Sequence, residues 1–442
     1  MRFLVTLCRY ILGIVFIVSG FLKAIDPVGT GLKISEYVNA ITGHIVGLEA
    51  GAFAAMTLCT LEFLTGVCVL KVLKIRPFSA LALFMCIFFT LLTLYSAVSG
   101  KIADCGCFGE ILKLSAWHSF YKNLILLLCA CLLYSKRANV HPVANPFWEW
   151  IYIVGYAASL FFVSLYAYRN LPPVDFTDFR QGRDLMASDS LVNIKYKTEI
   201  VYSKDGVSKA FDLKHLPDST WKYERTISTP VEGSEKLASQ MRLQLRDASG
   251  VDVTNMVLSA SKPQIFIVLY NAESFTSDNL SRLKNVADSL NYGQGRGDVH
   301  LLSSLSAEDT YKVLKPIYEA VEADSHADIF SPYVNKSLPF DILYSDFKNV
   351  ITLNRANGGA IYIKEGEIIR KWGERNYSTK RILKSINIDS SLLARQAEVR
   401  SRIFLLSAIV VFIFMVLIIR FVSRALYKTV KSTVDTIEEI AE

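Results

Sequence analysis

Long apolar stretches, nearly free of charge, alternate with polar ones along this 442-residue chain. They cover about 3–22, 49–70, 78–99, 117–134, 148–168 and 402–420. A bilayer core of ~30 Å needs roughly 20 apolar residues per helix. The pattern therefore predicts six transmembrane helices, the last at the short end of the range. Arg9 interrupts the start of the first, and no small-residue cleavage site follows before Lys23. That helix reads as a retained span, not a cleaved leader.

The stretch 169–400 has a different rhythm. Residues 193–230 alternate like strands, with a turn signal at Lys204-Asp205-Gly206. From about 241 strands and helices take turns. Gln264–Tyr270, Val299–Ser303 and Phe340–Tyr344 read as strands. Residues 276–291 read as a polar helix. Residues 306–323 form another, with Tyr311, Leu314, Ile317, Tyr318 and Val321 on one face. A hairpin joins 360–363 to 368–372 around Glu365-Gly366, and a last helix covers 379–387. The segments are a four-helix bundle over 1–137, a fifth span at 148–168, a β-rich extension at 169–240, an α/β domain at 241–400, a sixth span at 402–420 and a tail at 421–442.

Composition agrees with this division. The chain is 52% hydrophobic, with a mean hydropathy of +0.31. The net charge is +7, yet 169–400 holds 31 basic and 30 acidic residues. The excess lies in the remainder, where 17 basic residues face 11 acidic ones. Its placement is topological and does not point to nucleic acid. Arg2, the group Lys71, Lys74 and Arg76, the pair Lys136 and Arg137, and the group Arg420, Arg424, Lys428 and Lys431 all fall on one side if the spans alternate. Short basic loops stay cytoplasmic. Both termini are then cytoplasmic, and 23–48, the loop before the fourth span and 169–400 lie outside. In a bacterial inner membrane that outside is the periplasm, where thiols are oxidised.

Candidate chemistry is sparse. Arg9 and Glu62 sit at similar depth in the first two spans, and intramembrane charges mark function or buried pairing. The pair either locks two helices or serves in quinone or substrate handling. Cys105 and Cys107 flank Gly106 in the run Ala103-Asp104-Cys105-Gly106-Cys107-Phe108-Gly109. Such a pair can close into a small strained ring, and strained or exposed disulfides exchange readily. Asp104 and Glu110 would raise a thiol pKa, and His118 is a candidate proton partner. A plain structural disulfide, or two free thiols in a tight turn, is the competing reading. Zinc wants four ligands, and two cysteines with His118 or His44 fall short, so no metal is expected. Cys8, Cys59, Cys68, Cys86, Cys129 and Cys131 lie within spans. Most are too deep to meet the 4.4–6.8 Å Cα separation a bridge to the loop needs. They read as small apolar packing residues.

The pattern Ser19-Gly20, Lys23 and Asp26-Pro27 after Arg9, Glu62 in the second span, and Asp104-Cys105-Gly106-Cys107-Phe108-Gly109 resemble the DoxX/MauE group of bacterial membrane proteins. The resemblance covers about 1–137. It implies a four-helix bundle distantly similar to vitamin K epoxide reductase-like oxidoreductases. It also implies disulfide formation in a periplasmic client, or sulfur and quinone redox. This chain has no Cys-x-x-Cys near the outer end of the fourth span, which weakens quinone as a cofactor.

The order after 241 resembles the thioredoxin fold. There a Cys-x-x-Cys follows the strand that here is 264–270; this chain has Asn271-Ala272-Glu273-Ser274. The usual cis-proline position reads Asn357-Gly358-Gly359. The resemblance thus implies a thioredoxin-like domain without cysteine chemistry, suited to binding.

Two functions follow. In the first, Cys105 and Cys107 exchange disulfides with a periplasmic or envelope client that the α/β domain holds near, and the chain is a thiol–disulfide oxidoreductase or redox partner. In the second, the pair is structural and the chain is a non-enzymatic envelope scaffold. The lipid bilayer is a partner in both.

Overall fold

The computed structural model describes residues 2–410 except 101, 103–105, 107–108, 110–113, 141–145, 187–195, 205–206, 213–215, 219, 231–242, 292–295, 325–337 and 394. The first half is helical: α1 (Arg2–Ile25), α2 (Pro27–Thr42), α3 (Leu48–Lys71), α4 (Ile75–Ser99), α5 (Ala116–Ser135) and α6 (Pro146–Arg169). Among the described residues, all of these but α2 are long and apolar enough to cross a membrane. The expected span at 402–420 lies partly outside the described residues, and 395–410 is helical.

Small residues set how closely these helices approach. A methyl group added at Gly20 of α1 would lie 2.7 Å from Phe63 N and 2.9 Å from Cys59 O of α3. At Gly13 it would lie 2.8 Å from Leu70 Cβ and 3.1 Å from Gly66 O. Membrane helices associate by such backbone approach, because lipid tails remove the hydrophobic drive between them. Leu12, Phe16, Met85, Cys86, Cys129 and Leu133 fill one core between α1, α4 and α5. Cys59, Phe63, Val67, Tyr152, Tyr156 and Leu160 fill a second between α3 and α6. The fifth span is therefore part of the bundle.

The sequence was expected to form a loop over 23–48, and the structure corrects this. Pro27 ends α1 and opens α2, where its missing N–H costs nothing. Asp26 caps α2 through Gly29 N at 2.9 Å. Gly31 then lets α2 lie against Gly51 and Ala52 of α3. The glycines that read as loop punctuation are close-approach residues.

Beyond the bundle, β1 (Tyr196–Lys204), β2 (Val207–Asp212) and β3 (Lys222–Pro230) form an antiparallel sheet in the order β2-β1-β3. Residues 44–45 pair with its β2 edge, Ile45 N donating to Ser208 O at 3.3 Å. The larger unit runs α7 (Thr254–Leu258), β4 (Gln264–Leu269), α8 (Ser277–Asn291), β5 (Asp298–Ser303), α9 (Ala307–Asp324), β6 (Asp341–Tyr344), α10 (Phe347–Leu353), β7 (Ala360–Lys364), β8 (Glu367–Trp372) and α11 (Thr379–Ile386). Its sheet order is β6-β5-β4-β7-β8. Strands β4, β5 and β6 are parallel, and the β7–β8 hairpin is antiparallel to β4. All six residues of β4 are buried, as a central strand covered on both faces requires.

Neither sheet edge is bare. Gly182 and Leu185 donate to Ile368 O and Gly366 O beside β8, at 2.8 and 2.9 Å. Arg246 exchanges two backbone bonds with Tyr344 of β6. One face carries α8, α9 and α11 over Ile267, Leu283 and Leu314. The other holds Phe179, Leu245, Phe266, Phe347 and Ile351, and Val28 of α2 is buried in the same core. Helix α2 is thereby the joint between the bundle and the α/β domain.

Candidate functional site

Ion pairs reinforce the joint. Asp26, already capping α2 with one oxygen, accepts from Arg355 Nη2 at 2.8 Å and Nε at 3.1 Å with the other. The Arg355 side chain is buried, so this two-point pairing is shielded from water. Nearly three turns further along α2, Glu36 Oε2 accepts from Lys33 Nζ at 3.0 Å and Oε1 from Lys348 Nζ at 2.7 Å. Burial pushes the Glu36 carboxyl up, but the two lysines outweigh it and hold its pKa at about 2. Asp175, on the segment leaving α6, pairs with Lys371 of β8 at 2.7 Å. Burial again opposes ionisation, and Lys371 with Thr177 reverses it, leaving the Asp175 carboxyl below its ordinary range.

A cleft opens beside these pairs. Asp26, Thr30 and Lys33 line it from α2, Asp175 and Thr177 from the segment after α6. Gly106 and Gly109 close it. Both glycines have φ near +61°, in the left-handed region that costs other residues a steric penalty. Gly109 N donates to Gly106 O at 3.1 Å, closing a tight turn. Ser96 Oγ donates to Ile102 O at 2.9 Å, and the Ile102 side chain is buried. Asp104, Cys105, Cys107 and Phe108 lie outside the described residues. His118 is exposed in the first turn of α5, its Nδ1 2.6 Å from the Ser115 hydroxyl that caps that helix.

The intramembrane pair is not the expected one. Glu62 pairs with Lys23, Nζ to Oε2 at 2.7 Å, and both side chains are buried. The register explains why Arg9 loses. Gly13 faces Gly66 and Gly20 faces Cys59, so residues whose numbers sum to 79 share a level on α1 and α3. Lys23 therefore starts about 9 Å past the level of Glu62 toward the C-terminal end of α1, and Arg9 about 12 Å from it toward the N-terminal end, at 1.5 Å per residue. Side chains lean toward a helix's N-terminus. On these antiparallel helices Lys23 and Glu62 lean toward each other, whereas Arg9 leans away. Arg9 instead rests 5.3 Å from the ring of Tyr10. The Lys23 ammonium also lies 5.1 Å from the Phe89 ring.

The quoted motif residues thus have structural duties. Ser19 is buried, Gly20 seats α1 on α3, Lys23 neutralises Glu62, and Asp26 and Pro27 start α2. The described cysteines Cys8, Cys59, Cys68, Cys86 and Cys129 are buried, and Cys131 is exposed on α5. Sequence reasoning missed Lys33, Glu36, Arg355, Lys348, Asp175 and Lys371. Only the Asp-Pro step at 26–27, a helix-start signal, pointed toward any of them. Among the described residues, no group of three His, Cys, Asp or Glu side chains could hold a metal.

The loop after β4 is held by side-chain hydrogen bonds to the turn before β7. Asn357 Oδ1 accepts from Tyr270 N at 2.8 Å, and its Nδ2 donates to Asn271 O at 2.7 Å and Ser274 Oγ at 2.9 Å. Tyr270 donates its hydroxyl to Arg355 O at 2.6 Å. The loop after β4 is therefore tied to the turn before β7.

Comparison with known proteins agrees with the helical half. Residues 196–232 match a domain family of unknown function, DUF8463, which covers the three-stranded sheet. No curated protein and no solved structure matches the chain. Residues 1–136 match the family of the methylamine utilisation protein MauE, so the amino-terminal bundle is a membrane domain similar to MauE.

Proposed function

We propose that this is an envelope membrane protein that matures a periplasmic client by thiol–disulfide exchange at Cys105 and Cys107. One observation carries the reading. Gly106 and Gly109 of the Cys-Gly-Cys-Phe-Gly run line a cleft at the joint between the MauE-like bundle and the α/β domain. The cysteines on either side of Gly106 are each one peptide unit, 3.8 Å between Cα atoms, from it. A client bound to the α/β domain would meet the pair at high effective concentration. His118, at the head of α5, is the proton partner in this reading.

The exchange balances within two proteins. The client's two thiols lose two electrons and two protons as they join, and the Cys105–Cys107 disulfide takes them up and opens. The charge pattern supports inner-membrane placement with both termini inside and 169–400 periplasmic. A sixth span follows the α/β domain. The strand order β6-β5-β4-β7-β8, with its terminal antiparallel hairpin, supports a thioredoxin-like unit. All eight cysteines precede residue 132, and Asn357 seals the loop a catalytic pair would occupy. That unit binds and does not exchange. Quinone-coupled transfer is the weaker reading for the bundle: five of its six described cysteines are packed in its cores.

Trapping tests the reading. In a Cys107→Ser chain, Cys105 can attack or be attacked but cannot resolve, so mixed disulfides with the client accumulate, as they do with Cys105→Ser if Cys107 attacks. If neither single variant captures a protein that the double variant lacks, the pair is structural and the scaffold reading stands.

A further inference from the structure

We infer that Arg370, Arg381 and Arg400 form a docking site for the phosphate groups of anionic phospholipids, in the leaflet where α6 ends. The inference goes beyond the exchange reading above and does not depend on it.

A chain of contacts sets the level of the site. Helix α6 is long and apolar enough to cross a membrane and ends at Arg169. Tyr166 is exposed in its last turn, where aromatic residues mark a membrane surface. Asn170, the next residue after the helix, accepts from Asn376 Nδ2 at 3.3 Å. Asn376 O in turn accepts from Arg381 Nη1 at 2.7 Å. Arg381 lies in the first turn of α11, its N–H bonded to the Ser378 cap. One turn on, the Ser385 hydroxyl donates to Arg381 O at 2.9 Å and accepts from Arg370 Nη1 at 3.3 Å. The Trp372 ring lies 5.4 Å from the Arg370 guanidinium and steadies it. Arg370 of β8 and Arg381 of α11 are thus tied to the point where α6 leaves the bilayer.

Charge gives the site its sign. Residues 370–402 hold nine basic and three acidic residues, although 169–400 as a whole is nearly balanced. Lys371 is neutralised by Asp175 and Arg402 by Glu398. Arg370, Arg381 and Arg400 make no ion pair among the described residues. Burial, and then the like charges of Arg400 and Arg381, push the Arg370 guanidinium below its ordinary value. Three cations are therefore held close together without a carboxylate. A phosphate among them would turn that repulsion into attraction, and a guanidinium grips phosphate through two parallel N–H bonds. The surroundings favour a lipid over a free anion. Arg400 belongs to the helix over 395–410, which next exposes Ile403, Leu406, Ile409 and Val410. A basic surface followed at once by an apolar one fits a headgroup together with its acyl chains. Basic clusters beside a membrane draw anionic lipids in this way.

Hydrogen exchange of the full-length protein in lipid nanodiscs tests this, read in peptides covering α11 and 395–402. Nanodiscs of equal parts phosphatidylcholine and phosphatidylglycerol should slow exchange there by about fivefold relative to phosphatidylcholine alone. Inorganic phosphate added to the phosphatidylcholine nanodiscs should not. Arg381 and Arg400 are exposed, so Arg381→Gln and Arg400→Gln keep the fold, and each should lose most of the slowing. Arg381→Lys and Arg400→Lys keep the charge and should retain part of it. No difference between the two lipids, or a slowing that survives both Gln variants, would overturn the inference. Equal slowing by inorganic phosphate would make this a site for a free anion and overturn the lipid assignment. A loss in the Lys variants as complete as in the Gln variants would show that packing and not charge carries the effect, and would overturn it as well.

Discussion

Lys23 and Glu62 show how one contact is selected by side-chain direction and not by depth alone. Arg9, the nearer match on a simple count from the membrane surface, leans away from Glu62, and Lys23 leans toward it. Removing one member of a buried pair strands the other charge in a medium that solvates it poorly. Glu62→Gln or Lys23→Met should each destabilise the bundle by about 3–5 kcal/mol. The double variant should lose less than the sum. Thermal unfolding of the protein in detergent measures both, and strictly additive losses would show that the pair is not coupled. The sequence made Glu62 legible as an intramembrane acid. It hid its partner because Lys23 reads as the loop end of a 20-residue span, whereas α1 continues to Ile25. Lys33, Lys348 and Arg355 were illegible for a related reason: each acts through a contact hundreds of residues away or across a joint that no local pattern encodes.

At the level of elements, helix and strand periods carried the α/β half well. The fully apolar run Gln264–Leu269 is the central strand, and Tyr311, Leu314, Ile317 and Tyr318 form the inward stripe of α9. What escaped was structure made by packing. Pro27, Gly29 and Gly31 have poor helix propensity, yet capping by Asp26 and close contact with Gly51 hold them in α2. The edge pairings of 182–185 and 246 likewise depend on strands distant in sequence. The small-residue seam between α1 and α3 gives a prediction at this scale. Gly20→Leu should cost about 1–3 kcal/mol or more, since its first carbon already meets backbone. Gly155→Ala on α6, where nothing lies within 4 Å, should be neutral or slightly stabilising. Thermal unfolding of the two variants side by side checks this; equal effects would mean that α1 and α3 do not meet at Gly20.

For the whole molecule, α2 is the element that makes two halves act as one. Val28 enters the core of the α/β domain, Asp26 and Glu36 pair with its Arg355 and Lys348, and the stem of Lys33 lies against Gly106. The domain is therefore moored beside the Cys-Gly-Cys loop. Such mooring is unneeded for an inert crosslink and useful for a pair that meets clients, so the account turns on whether the pair exchanges. Its most direct test is a redox titration of the full-length protein in lipid against glutathione buffers, reading the state of Cys105 and Cys107 in the tryptic 102–113 peptide. The account predicts a reversible two-electron transition with a midpoint above about −300 mV, in the range of exchangeable disulfides. A bond that stays closed at lower potentials, or thiols that never oxidise across the range, would contradict it.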